Sequence, residues 1–119
     1  MSRILIVEPI AIIAEDLAAS IRAWDPDAEI LTAAAPEAGV DLLSTGAKVD
    51  MAFLHLRPEG FADTALAGLL AASNAVWVFM GHSVNRDRDA RVLSLDFTFS
   101  DTSVADVLAL VLPKKRKCA

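Results

Sequence analysis

The chain has few of the features that mark secreted or membrane-spanning proteins. It contains a single cysteine, Cys118, so no internal disulfide can form, and the sequence is consistent with a reducing compartment. No run of eighteen or more apolar residues occurs, and the N-terminus enters a strand pattern without the charged segment and long apolar run of a signal peptide. We therefore expect a cytoplasmic protein.

Large rings are also scarce, because aromatic residues make up 6% of a chain that is 55% hydrophobic. The core must then be built from Ala, Leu, Val and Ile, which is typical of helices layered on a sheet. A chain of 119 residues fits one compact domain that needs no disulfide or metal for stability. We expect residues 1–113 to form that domain and residues 114–119 to form a short basic tail.

Positive charge is unevenly distributed along the chain. The formal net charge is -5, but four of the eleven Lys and Arg residues lie in the tail. The rest of the chain has seven Lys and Arg residues and sixteen Asp and Glu residues, so it carries a charge of about -9. An acidic body repels nucleic acid, and a basic end after a helix is most often simply solvated. We therefore expect neither a nucleic-acid partner nor a membrane partner.

Apolar segments of strand length recur along the chain with helical segments between them. The first, third and fourth are continuously apolar, which indicates parallel strands covered on both faces, whereas the second and fifth resemble edge strands. The five predicted strands span residues 4–7, 29–32, 51–54, 76–79 and 95–99.

The connections between these strands carry helical patterns. A helix with its apolar face at 13–24 stops at Asp25-Pro26, a second has Pro36 in its first turn and ends at Gly46, and others cover 64–72 and 86–92. Ser103 can cap the last helix. Strict alternation of strand and helix predicts an α/β fold of the flavodoxin-like (βα)5 type, a doubly wound parallel five-stranded sheet in three αβα layers.

In doubly wound sheets, ligands and chemistry lie at the carboxyl ends of the strands. This rule selects the segments Glu8-Pro9, His55 to Arg57, 81–83 and 100–101. A glycine-rich phosphate cradle is absent after the first strand, which argues against a nucleotide or flavin site.

Several of these segments together resemble the receiver domains of response regulators in two-component signalling. The motifs are RILIVE at 3–8, VDMAFLHL at 49–56, VWVFMGH at 76–82 and DF at 96–97. The resemblance covers essentially the whole chain. It implies a phosphoryl group accepted by an aspartate at the end of the third strand and Mg²⁺ held by acidic residues after the first. It also implies a hydroxyl residue after the fourth strand and a lysine after the fifth.

The chain departs from that pattern at most of the positions that carry chemistry. His55 stands where the acceptor aspartate is implied, and Pro9 replaces one of the two acids, while Glu8 remains. One carboxylate is a poor anchor for Mg²⁺. We therefore interpret the chain as a stand-alone degenerate receiver, or pseudo-receiver, that is not an enzyme and holds no metal or cofactor. The expected vestigial pocket comprises Glu8, Pro9, His55, Met80 at the hydroxyl position and Ser100 at the lysine position.

Without phosphorylation chemistry, the expected function is interaction with a signalling protein, either a histidine kinase or an output protein, or self-association as a dimer. The resemblance implies an interaction face formed by the fourth helix, the fifth strand and the fifth helix. The polar segment 85–91 on this face could equally form a solvated helix with internal ion pairs. The candidates on this face are Arg86, Arg88, Arg91, Phe99, Asp106 and Leu110.

Other readings of the strand ends stay open on sequence grounds. Imidazole is a competent nucleophile, so His55 could accept a phosphoryl group. The carboxylate of Asp50 is an alternative acceptor. His82 could join Glu8 and His55 at a transition-metal site, although no ligand spacing supports it. A shift in alignment could bring Ser83 to the hydroxyl position. The vacated pocket could also bind a small ligand.

Overall fold

The computed structural model describes residues 2–81 and 92–112, which form one parallel sheet with helices on both faces. The sheet has five strands in the order β2-β1-β3-β4-β5. This arrangement confirms the predicted fold class. In chain order the elements are β1 Arg3–Val7, α1 Ala11–Trp24, β2 Glu29–Ala33, α2 Pro36–Ser44, β3 Met51–Leu54, a 3-10 turn Phe61–Asp63, α3 Ala65–Ala72, β4 Val76–Met80, β5 Val92–Leu95 and α4 Asp101–Val111.

All strand pairs are parallel, so their carboxyl ends lie at one edge of the sheet. Val7 at the end of β1 is opposite Leu54 at the end of β3, and Met80 at the end of β4 is opposite Leu95 at the end of β5. The residues that directly follow four of the strands therefore share this edge, and they are Glu8, His55, Gly81 and Asp96.

Two apolar layers, one on each face of the sheet, form the core. Alternate residues of each inner strand face opposite layers, so β1 and β3 are apolar at nearly every position, as a strand covered on both faces requires. The layer under α1 and α4 includes Ile4, Ile6, Met51, Phe53, Val78 and Met80. The layer under α2 and α3 includes Leu5, Val7, Ala52, Leu54 and Phe79.

The predicted fifth strand, 95–99, is wrong by three to four residues. The strand runs over Val92–Leu95, where it pairs with β4 and alternates half-buried and buried side chains. Residues 96–98 are exposed and form the connection to α4. Their alternation of polar and aromatic residues imitates an edge strand, whereas the true strand is short. The helix predicted over 86–92 lies outside the described residues except at its last position, which belongs to β5.

The last helix is capped by Ser100 rather than by the predicted Ser103. The Ser100 hydroxyl accepts the Ser103 backbone N–H at 3.2 Å, and the Ser103 hydroxyl accepts the Ser100 backbone N–H at 2.8 Å. This reciprocal pair satisfies two backbone donors at the helix start. The helix also docks on α1, since the buried Ser20 hydroxyl donates to Asp101 Oδ1 at 2.5 Å.

The other helix predictions are largely confirmed. α1 ends at Trp24 before Asp25, and α2 starts with Pro36 in its first turn. α2 ends at Ser44, slightly before the predicted Gly46, which takes a left-handed conformation. No helix within residues 2–81 and 92–112 is long and apolar enough to cross a bilayer.

Candidate functional site

Glu8 is a buried carboxylate at the carboxyl end of β1. Its backbone N–H extends the ladder by donating to the Ala33 carbonyl at 2.9 Å. The residue is 3% exposed. Its Oε1 accepts, at 3.0 Å, the backbone N–H of Ile10, the residue that precedes α1. A carboxylate held this far from water needs further partners, because burying an unpaired charge is costly.

His55 supplies that partner from the end of β3. Its backbone N–H donates to the Val7 carbonyl at 2.9 Å, which places its ring beside Glu8. The Nδ1 atom lies 2.8 Å from Glu8 Oε1 and 2.7 Å from Oε2. A carboxylate offers only acceptors, so Nδ1 carries the proton and donates. The His55 side chain is 26% exposed and that of Glu8 is fully enclosed, so His55 shields Glu8 from solvent.

Phe97 lies against both His55 and Gly81. The centroids of the Phe97 and His55 rings are 4.6 Å apart with an interplanar angle of 66°, an edge-on contact. A Cβ added at Gly81 would lie 2.0 Å from Phe97 Cε2, and Gly81 has φ +79. Both the ring above it and its left-handed backbone therefore require glycine at position 81. Phe97 itself is 45% exposed, so part of the ring lies against His55 and Gly81 while the rest faces solvent.

Sequence reasoning missed Phe97 because it placed this residue inside the fifth strand. The Ser100-x-x-Ser103 spacing was the available signal, because a capping pair there starts a helix at 101 and leaves 96–99 as a connection.

The structure brings together only two of the five predicted pocket residues. Glu8 and His55 are in direct contact. Pro9 follows Glu8 in the chain, is exposed and has no backbone N–H to donate. Met80 is fully buried in the layer under α1 and α4. Ser100 contacts Ser103 as a helix cap, while Phe97 is the residue after β5 that contacts His55.

The predicted interaction face is only partly described. Leu110 is 61% exposed on α4, and Asp106 is exposed on the same helix. Phe99 is half-buried against the core, so much of its surface is already covered. The three arginines predicted for this face, Arg86, Arg88 and Arg91, lie outside the described residues, as do His82 and Ser83.

At this edge of the sheet, a buried carboxylate is hydrogen-bonded by an imidazole whose ring contacts an aromatic side chain. Both Glu8 oxygens face His55 Nδ1, and one also accepts a backbone N–H. Within the described ranges, no group of three or more His, Cys, Asp or Glu side chains is placed to hold a metal ion.

The fold, with this strand order, is that of response-regulator receiver domains. The receiver domain of the hybrid histidine kinase CckA superimposes with a TM-score of 0.71 at 21% identity, covering 93% of this chain and 99% of that one. The N-terminal domain of a response regulator/sensory box/GGDEF protein from Carboxydothermus hydrogenoformans gives 0.70 at 23% identity, covering 93% and 94%.

The chemotaxis protein CheY4 of Vibrio cholerae gives a TM-score of 0.70 at 15% identity, covering 94% of this chain and 99% of that one. No family model matches the sequence, and no curated protein matches it. At these identities the likeness establishes the fold, and the function has to be argued from the residues at the strand ends.

Proposed function

We propose that this chain is a degenerate receiver that signals by docking on another signalling protein, or on a second copy of itself, independently of phosphorylation. The single observation that carries the proposal is the Glu8–His55 pair beneath Phe97. In this reading, the chain's own side chains occupy the place at which receivers carry out phosphoryl transfer.

The acceptor and the metal anchor are both compromised. An aspartyl phosphate needs an aspartate at the end of β3, and His55 stands there. Mg²⁺ requires near-octahedral oxygen ligation. Glu8 would have to release His55 to join such a site, and the neighbouring Pro9 offers no side-chain oxygen.

Charge neutralisation of a phosphoryl group is also unsupported. The receiver resemblance implies a lysine after the fifth strand. Because β5 ends at Leu95, the side chain that reaches the pocket from there is Phe97 rather than Ser100. An apolar ring cannot neutralise the charge of a transferring phosphoryl group, which is what a cation there would do.

Docking remains available to a fold whose switch chemistry is lost. On α4, Leu110 presents an exposed apolar side chain next to the acidic Asp106, which fits a partner contact with an apolar centre and a polar edge. We assign this helix to the interaction face and propose a histidine kinase, an output protein or a second copy as the partner. A Leu110→Glu variant should weaken that association, which sedimentation or binding assays would measure.

The direct test is the intact mass of the chain after incubation with acetyl phosphate and Mg²⁺. The native chain should gain no phosphoryl group. A matched variant that supplies a second acid, an acceptor aspartate and a cation beside it, Pro9→Asp/His55→Asp/Phe97→Lys, should gain one. If the native chain gains a phosphoryl group that a His55→Ala variant does not, the proposal is wrong and the protein is a phosphotransfer component with a histidine acceptor.

A further inference from the structure

The two nitrogens of the His55 ring have different surroundings. Nδ1 lies 2.8 Å and 2.7 Å from the two oxygens of Glu8 and donates its proton to them. Nε2 has no hydrogen-bond partner among the described residues, and no buried side-chain nitrogen or oxygen in that part of the chain lacks a partner. Nε2 is therefore not buried, and it belongs to the exposed part of a side chain that is 26% exposed.

We propose that His55 is a nucleophile that accepts acyl groups from small uncharged donors, with Glu8 as its positioning residue. In the neutral ring, a proton on Nδ1 leaves the lone pair on Nε2, which is the atom that reacts. Positive charge develops on the ring as Nε2 attacks, and a carboxylate at Nδ1 stabilises that charge. The Glu8 side chain is fully enclosed, so it is already in place when the charge develops.

The surroundings of the ring favour an uncharged donor over a phosphoryl donor. Phe97 contacts the His55 ring edge-on and is 45% exposed, so an apolar surface lies next to the nucleophile. A transferring phosphoryl group needs its charge neutralised by cations, whereas an uncharged acyl group does not. The proposed chemistry uses only the ring and the carboxylate, so the donor must bring a good leaving group, as aryl esters and anhydrides do. This activity goes beyond the docking proposed above and does not depend on it.

The reaction needs no co-reactant other than water. Nε2 forms a bond to the carbonyl carbon of an aryl ester, the bond from that carbon to the aryl oxygen breaks, and the phenolate leaves with the electron pair. The acylated ring, still protonated at Nδ1, carries one positive charge beside Glu8. Water then adds to the acyl carbon and the bond to Nε2 breaks, which releases the carboxylic acid and a proton. The ring returns to its starting form.

The test uses the full chain with Cys118→Ser, which removes the thiol as a competing nucleophile, and p-nitrophenyl acetate as the donor. The chain should release p-nitrophenolate about tenfold faster than N-acetylhistidine at equal concentration, a modest factor because His55 is partly solvated. His55→Gln should remove this excess. Glu8→Gln should remove most of it, because an amide can donate to Nδ1 as well as accept from it and carries no charge.

Two readouts separate positioning by Glu8 from a merely structural role. Nitrogen-15 spectra of the His55 ring should show the proton on Nδ1 in the parent chain and a mixture of tautomers in Glu8→Gln. Diethyl pyrocarbonate is an anhydride that leaves an acyl group on histidine. Peptide mass spectrometry after this treatment should show His55 modified in the parent chain, and more slowly in Glu8→Gln. This mapping uses the native histidine, so it does not depend on the folding of a His55 variant.

His82→Gln is the matched control, because it removes the other histidine of the chain and should leave the rate unchanged. Circular dichroism of each variant checks that it is folded. The proposal is refuted if His82→Gln removes the excess rate, or if the parent chain carries the ring proton on Nε2. It is also refuted if Glu8→Gln leaves both phenolate release and the modification rate of His55 unchanged.

Discussion

Replacing His55 by leucine should destabilise the fold, because it leaves the Glu8 carboxylate enclosed without its charge-assisted hydrogen bonds. Such bonds contribute about 1.5–3 kcal/mol, and breaking a fully buried ion pair costs about 3–5 kcal/mol. The His55 side chain is 26% exposed, so water can reach the carboxylate once the ring is gone, and the Ile10 N–H bond remains. We therefore expect a loss of about 2–3 kcal/mol, or a Tm lower by about 8–12 °C.

Urea unfolding at neutral pH, followed by circular dichroism, would measure this loss. The informative comparison is the double variant Glu8→Gln/His55→Leu, which also removes the carboxylate that His55 contacts. It should recover at least half of the lost stability, since replacing both partners of a buried pair costs less than removing one. A cost below about 0.5 kcal/mol for His55→Leu, or no recovery in the double variant, would refute the reasoning about this pair.

Three further substitutions test other parts of the fold. Ser100→Ala should cost about 1 kcal/mol in thermal unfolding, because the hydroxyl that caps the Ser103 N–H is lost, and a neutral result would argue against the cap. Gly81→Ala should cost more than about 1 kcal/mol and displace the Phe97 ring, which loss of its nuclear Overhauser contacts to position 81 would reveal. Ser20→Ala should cost about 1 kcal/mol by removing the hydrogen bond between α1 and α4, and an unchanged urea midpoint would contradict that role.

Most of the architecture could be predicted from local patterns. The segments 4–7 and 51–54 are apolar at every position, which only a doubly covered strand explains, and both are central in the sheet. The fifth strand was misplaced because Val92–Leu95 has four residues, half of them only partly buried, while Phe97 and Phe99 imitate the alternation of an edge strand. Which of the segments 92–95 and 95–99 forms the strand depends on pairing with β4, and a single sequence does not record that pairing.

The site was predictable only in part, for a related reason. Glu8 and His55 could be placed at one sheet edge from the strand ends alone. Their direct hydrogen bonding, and the role of Phe97 above them, depend on side-chain directions after β1, β3 and β5. The predicted fifth strand ended at residue 99, so Ser100 was expected to follow it. The strand ends at Leu95, Phe97 contacts His55, and Ser100 is a helix cap.

On the proposed function, the Glu8–His55 pair also bears on whether receiver chemistry could arise at this site by mutation. An aspartate at position 55 would set a second carboxylate against the enclosed Glu8, and like charges at that distance repel. The described residue after β5 that contacts His55 is Phe97, which carries no positive charge to relieve this repulsion. A chain with aspartate at position 55 would thus be less stable than the present chain. On the proposed function, a change from aspartate to histidine at position 55 is therefore hard to reverse. Substitutions on the surface of the fold can then alter binding without affecting a phosphorylation site.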